Sequence, residues 1–374
     1  MRYPFLQIGG FLAVILLGTV PARAELSVVT SIPPVHSLVA KVMAGAGEPH
    51  LLLRNGQSPH GYALRPSDAR ALENADLIFL VSHNVESFLE ATVDRDVDNG
   101  GRVIELFEVK GVTHLPVREG ALWDSPEHAG HDDHDKEGHD EHAGHEDHDK
   151  DGHDEHAGHE DHDKDGHDEH AGHEDHDKDG HDEHAGHEDH DKDGHDEHAG
   201  HDHGPDDPHV WLSPSNAKAF VAAIAASLAA RDPDHAALYN ANAAAAVQDL
   251  DQLSETIRQK LARVHERPFL VFHDAYQYFE SAFDLKAAGA ISLVTGAAPG
   301  AARLRALRQR VADGGIRCIF REVQFRPRLA EVVAEGSGAK LGTLDPVGST
   351  VPFGPDAYNG LMLGLADGFE SCLR

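Results

Sequence analysis

Residues 269–283, FLVFHDAYQYFESAF, set an apolar run, a single histidine and a helical pattern in that order. Four large apolar residues ended by a polar turn read as a buried strand, and the residues after the turn have helical spacing. The same alternation continues through strand 287–293, helix 301–311, strand 316–321, helix 327–333, strand 339–344 and a terminal helix 358–373. Upstream it runs through strand 26–31, helix 35–43, strand 50–53, helix 66–75 opened by Pro66-Ser67, strand 77–81, helix 85–92 and strand 102–107. Alternation of this kind predicts an α/β fold of two lobes, each a parallel sheet flanked by helices.

The two halves are joined by a long helical pattern. Ser213 is placed to cap it and Pro214 takes the first position, where a missing N–H costs nothing. A break at Asp232-Pro233 precedes a second helix with apolar residues at Val247, Leu250, Leu253, Ile257, Leu261 and Val264. That spacing of three or four marks one buried face, and the length suggests a rigid strut across a cleft between the lobes.

From Gly130 to Ala199 the chain repeats a 14-residue phrase five times, GHDDHDKEGHDEHA once and GHEDHDKDGHDEHA four times. Each copy has four histidines, six acids, one lysine and no large apolar side chain, so it cannot bury enough hydrocarbon to order itself and reads as a disordered loop. The absence of apolar residues also argues against a stacked solenoid. An acidic spacer would account for the carboxylates and leave the histidines unexplained. Imidazole is a ligand for borderline divalent ions, so the tract points to metal, with loss of metal as the rings protonate near pH ~6.5. At six acids and one lysine per copy, the five copies carry 25 of the 33 net negative charges, and the rest of the chain is only mildly acidic. Clustered Lys and Arg for phosphate contacts are lacking, and nucleic acid is disfavoured as a partner.

Of the 32 histidines, 23 lie between His128 and His203, leaving nine in which to seek a specific site. His273 stands at the carboxyl end of a strand, where open α/β sheets gather ligands. His60 lies in the loop Ser58-Pro59-His60-Gly61, and His209 follows Pro208 and leads into Trp211 and the Ser213 cap. His36, His50, His83, His114, His235 and His265 read as ordinary surface or core residues. Glu322 and Asp345 end strands on the same edge as His273, and each is open to two readings, a completing ligand or a hydrogen-bonded loop acid.

Residues 1–24 read as a secretory signal peptide, with Arg2, an apolar core at 11–17 and Ala22-Arg23-Ala24 at the cleavage site; the run is too short for a membrane anchor. The expected organisation is then an N-terminal lobe at 25–127, the repeat loop at 128–207, the end of the first lobe at 208–233, the linker helix at 234–266 and a C-terminal lobe at 267–374. Cys318 and Cys372, the only two cysteines, would pair in an oxidising compartment and tie the terminal helix to a sheet; neither is in a C-x-x-C pair suited to metal.

Four motifs, HGYALRPSD at 60–68, HVWLSP at 209–214, FHDAY at 272–276 and TLDP at 343–346, resemble the cluster A-I metal-binding proteins of ABC importers, and most nearly the zinc-specific ZnuA type. The resemblance spans nearly all of the mature chain. It implies a periplasmic protein, expected as a monomer, that holds one Zn2+ between two lobes and delivers it to a membrane permease with a cytoplasmic ATPase. It further implies His60, His209 and His273 as zinc ligands, Asp345 as a fourth ligand found in some members, and a disulfide between Cys318 and Cys372. A histidine-rich acidic loop before H-x-W-L-S-P marks the zinc type, and manganese-type relatives carry glutamate where His273 stands. Many zinc-type members place an acid before the first histidine; here that residue is Pro59, so the fourth place is left to Asp345, a water or a residue of the loop. Manganese or another divalent ion is the alternative cargo, disfavoured by three imidazoles. A secreted zinc hydrolase would need a general base and usually an H-E-x-x-H helix, which is absent, and an adhesin or a metal buffer could share the fold.

Overall fold

The computed structural model describes residues 26–54, 56–96, 101–120, 122–123, 205–292, 299–313 and 315–374. The segment read as a signal peptide and the five-copy repeat lie outside the described residues.

Two four-stranded sheets form, and every strand pairing within them is parallel. The first takes β1 (Val28–Thr30), β2 (His50–Leu51), β3 (Leu77–Leu80) and β4 (Val103–Glu105) in the order β2-β1-β3-β4. The second takes β5 (Phe269–His273), β6 (Ala287–Ser292), β7 (Cys318–Glu322) and β8 (Lys340–Leu344) in the equivalent order β6-β5-β7-β8. Helices α1 (Pro33–Met43), α2 (Pro66–Glu73) and α3 (Glu90–Asp96) belong to the first series; α6 (Gln277–Phe283), α7 (Ala301–Ala312), α8 (Arg328–Ala334) and α9 (Ala357–Leu373) belong to the second. Between them run α4 (Pro214–Arg231) and the 26-residue α5 (Ala236–Leu261).

Both faces of each sheet are covered, which is why their strands are continuous apolar runs and not alternations. Val28, Leu77 and Phe79 face one apolar cluster while Val29, Ile78 and Leu80 face another. In the second sheet Phe269, Val271 and Phe320 join the large cluster, and Leu270, Phe272 and Ile319 pack against the opposite side. The large cluster is continuous from the first sheet through α1, α4, α5 and α9 to the second. Helix α5 contributes Leu250, Leu253, Ile257 and Leu261 to it, the face expected from the sequence spacing. Ser213 caps α4 by accepting from the Asn216 N–H, with Pro214 beside it. Cys318 at the start of β7 and Cys372 in α9 form the disulfide, with Cα atoms 5.9 Å apart.

Each sheet reverses its strand order beside its first strand, so the crevice opens at the carboxyl ends of β1 and β3 in one and of β5 and β7 in the other. A buried carboxylate occupies both places. In the first, Glu86 accepts from Ser31 Oγ at 2.5 Å and from the backbone N–H groups of Val81 and Ser82 at 3.1 and 3.0 Å. This bonding gathers residues 82–86 into a turn, so the helix expected over 85–92 is delayed: a 3-10 turn occupies Ser87–Leu89 and α3 starts at Glu90.

Burial pushes the Glu86 carboxyl up to about 7, against the pull of its three donors. Below its ordinary value near 4.5 both folded and unfolded chains are protonated and the contribution to stability is complete; it is lost as pH rises through about 7. Thermal melts of Glu86→Gln between pH 4 and 8 are expected to show a shallower fall in stability with pH than the parent chain, whatever the change in absolute level.

Candidate metal centre

His60 sits in a 3-10 turn, Pro59–Gly61, between β2 and α2. His209 immediately precedes another 3-10 turn, Val210–Leu212, that feeds α4, and His273 is the last residue of β5. These three positions, spread over more than 200 residues of sequence, converge. Ring centroids are 5.5 Å apart for His60 and His209, 5.2 Å for His209 and His273, and 6.2 Å for His60 and His273. One nitrogen of each ring lies within 4.8 Å of the other two. His209 Nε2 and His273 Nε2 are 3.4 Å apart. That is the edge of a tetrahedron of nitrogens about 2.0–2.1 Å from a central zinc, which works out at about 3.3–3.4 Å.

The outer nitrogens of the two buried rings are held by carboxylates. His209 Nδ1 is 2.7 Å from Asp207 Oδ1, whose oxygen also accepts the His209 backbone N–H at 3.0 Å. His273 Nδ1 is 2.7 Å from Glu322 Oε1, in the strand register that sets the end of β5 beside the end of β7. An ionised carboxylate only accepts, so with Asp207 and Glu322 ionised and the rings neutral each Nδ1 carries the proton and each Nε2 offers its lone pair inward, the form in which the rings can ligate a metal.

The surroundings fix these acids in turn. Tyr278 donates to the Asp207 carbonyl at 2.7 Å and accepts from the Leu115 N–H at 2.9 Å. Arg118 pairs with Asp274, next to His273, and with Glu280, while its guanidinium lies 3.7 Å over the Trp123 ring. It supplies positive charge to a crowded acidic region, and those two partners raise its own value although burial opposes them. Burial pushes Asp207 up to about 7, opposed by the His209 N–H, Arg118 and His273. Burial alone would depress His273, but Glu322, with Asp274 and Asp207, outweighs it and raises the imidazolium above its ordinary 6.5.

Asp345 is not in the cluster of three. Its carboxylate caps the loop after β8, accepting from the N–H groups of Val347, Gly348 and Thr350, from the hydroxyls of Ser349 and Thr350, and from Gln324 Nε2 at 2.7 Å. The cavity beside the histidines is lined by Pro59, Trp211, Glu322, Gln324, Phe325 and Val347 among others. Trp211 ties that loop to the His209 segment through its indole N–H, which donates to the Pro346 carbonyl at 2.8 Å. Of the histidines read as ordinary, His83 pairs with Glu105 and His235 with Asp232, and His114 stacks on Phe107 at 4.2 Å. Glu322, open in the sequence to a ligand or a hydrogen-bonded reading, is hydrogen-bonded to His273; Asp207, Arg118 and Gln324 are not among the residues that the sequence singles out. Only Asp207 carried a local signal, a carboxylate two residues before a candidate histidine.

The family model described as ZnuA, zinc-uptake complex component A periplasmic, matches residues 28–372. The chain belongs to this family. It is 41% identical over 346 residues to the high-affinity zinc uptake system protein ZnuA of Brucella abortus (strain 2308), covering 92% of this chain and 91% of the relative. The protein of the same name from Paracoccus denitrificans (strain Pd 1222) is 40% identical over 361 residues, covering 96% and 95%. Among solved structures, a ZnuA crystal structure superposes with a TM-score of 0.62 at 20% identity, covering 94% of this chain and 100% of the other. The laminin-binding adhesin Lmb of Streptococcus agalactiae also gives 0.62, at 21% identity, covering 93% and 100%. At these identities the structures speak to the fold alone, and they agree with two parallel sheets flanked by helices. The family is one of periplasmic zinc-uptake components, and among the described residues no helix is long and apolar enough to cross a membrane.

Neutralising the carboxylates behind the rings should loosen the centre without emptying it. Glu322→Gln and Asp207→Asn are each expected to weaken zinc binding about 10–100-fold in chelator-competition titrations, with one tight ion still bound.

Proposed function

We propose that this protein captures Zn2+ in the periplasm and delivers it to the permease of an ABC importer powered by a cytoplasmic ATPase. His60, His209 and His273 hold the ion, each through one ring nitrogen, in a cleft between two lobes braced by α4 and α5. The observation that carries the reading is the convergence of the three imidazoles, two of them locked by buried carboxylates with Nε2 facing inward. Three nitrogen donors suit zinc better than manganese, which prefers more oxygen and higher coordination. The signal peptide brings the chain to the compartment where the cargo is found, and the reading involves no catalysis.

Capture and release follow from the same chemistry. Zinc displaces protons from the rings, so affinity falls as pH drops. His60 is the least buried of the three rings. The repeat gathers further ions weakly and, being tethered to the same chain, raises the effective concentration at which the tight site meets them.

Three measurements test this. His273→Ala should lower affinity for zinc by more than the roughly 100-fold expected of a supporting residue, and in the parent chain affinity should fall steadily from pH 8 to 6. Retention of parental affinity in that variant would overturn the reading. Deleting residues 130–199 should reduce the total zinc bound, measured by metal analysis, while one tight site persists; loss of that site would make the repeat a primary ligand donor.

A further inference from the structure

Resting on the three-histidine reading, we infer that Gln324 is a positioning residue of the zinc centre: its amide oxygen accepts the hydrogen bond of a water in the ion's fourth place, and Asp345 acts through it.

Three observations carry this. Gln324 lines the same cavity as His60, His209 and His273. The direction of its amide is fixed, because Nε2 donates to Asp345 Oδ1 at 2.7 Å and lies 3.4 Å from Ser349 Oγ, and a carboxylate cannot donate in return. The carbonyl oxygen is therefore turned away from Asp345, and it is buried with no hydrogen-bond partner among the described residues. A buried acceptor left unmet costs about 1–3 kcal/mol, so its persistence beside three convergent ring nitrogens calls for a donor that arrives with the ion.

Glu322 Oε1 and Asp207 Oδ1 are taken by the Nδ1 atoms of their rings. Glu322 Oε2 is, like Gln324 Oε1, buried with no hydrogen-bond partner among the described residues, and as a second acceptor it leaves room for both protons of one water. Both oxygens of Asp345 are engaged by the loop it caps, and Pro59 has no donor to offer. A neutral amide is not among zinc's usual direct ligands, whereas a water on zinc is a strong donor seeking an acceptor. Three imidazoles and one water give four-coordination, with Gln324 fixing the water and Asp345 fixing Gln324.

The test is a double-mutant cycle on the full chain. Zn2+ is titrated against a chromophoric chelator to read the tightest class of sites, and the Co2+ visible spectrum reports coordination number. Gln324→Met keeps the bulk of the side chain and removes the acceptor; it should bind zinc about tenfold more weakly with a four-coordinate cobalt spectrum retained. Asp345→Asn should weaken binding to a similar extent, and the double variant no further than either alone. Parental affinity in Gln324→Met, with melting temperature unchanged, would overturn the inference. So would additive losses in the double variant, which would make Asp345 a ligand in its own right. His273→Ala separates the two levels: if it too binds like the parent, the three-histidine reading fails, and if it alone loses the tight site, only the role of Gln324 falls.

Discussion

Everything at the centre depends on two hydrogen bonds of 2.7 Å, from His209 Nδ1 to Asp207 and from His273 Nδ1 to Glu322. They choose the tautomer, set the ring planes and leave two Nε2 atoms 3.4 Å apart. Without them, rings brought from strand end and loop could rotate or donate where they must accept. Burial strengthens this grip and makes it costly, because each carboxylate loses water on folding. Arg118, paired with Asp274 and Glu280, adds positive charge that favours the ionised form of Asp207.

The parallel sheets explain where this machinery sits. Both reverse strand order beside their first strand, and both set a buried carboxylate in the resulting crevice, Glu86 in one and Glu322 in the other. Glu86 closes its turn structurally, accepting from Ser31, Val81 and Ser82. Glu322 instead faces a histidine at the end of the neighbouring strand, and the same topological position becomes chemistry. The apolar cluster running through α1, α4, α5 and α9 gives both crevices a common support.

Much of this was legible in the chain itself. Buried strands such as Phe269–His273 and Leu77–Leu80 announce themselves as uninterrupted apolar runs, and the α5 face repeats every three or four residues. His60, His209 and His273 stood out because rigid elements flank each one. The start of α3 was less legible, since Glu86 diverts the backbone by contacts to residues five and four positions earlier. Helix α6 starts only at Gln277, because the Ala275 N–H turns back to the His273 carbonyl. The partner of His273 and the amide at Gln324 depend on strand register and on a loop 21 residues away, and neither leaves a local pattern. Asp345, conspicuous in its motif, turns out to bind the loop directly after it.

The most direct measurement of the central claim is anomalous difference density at the zinc edge, from crystals of the full chain loaded with one equivalent of Zn2+. The account predicts a single dominant peak between one nitrogen each of His60, His209 and His273, with Asp207 and Glu322 still on the Nδ1 atoms of their rings. A dominant peak elsewhere, or one touched by fewer than three of these imidazoles, would contradict it.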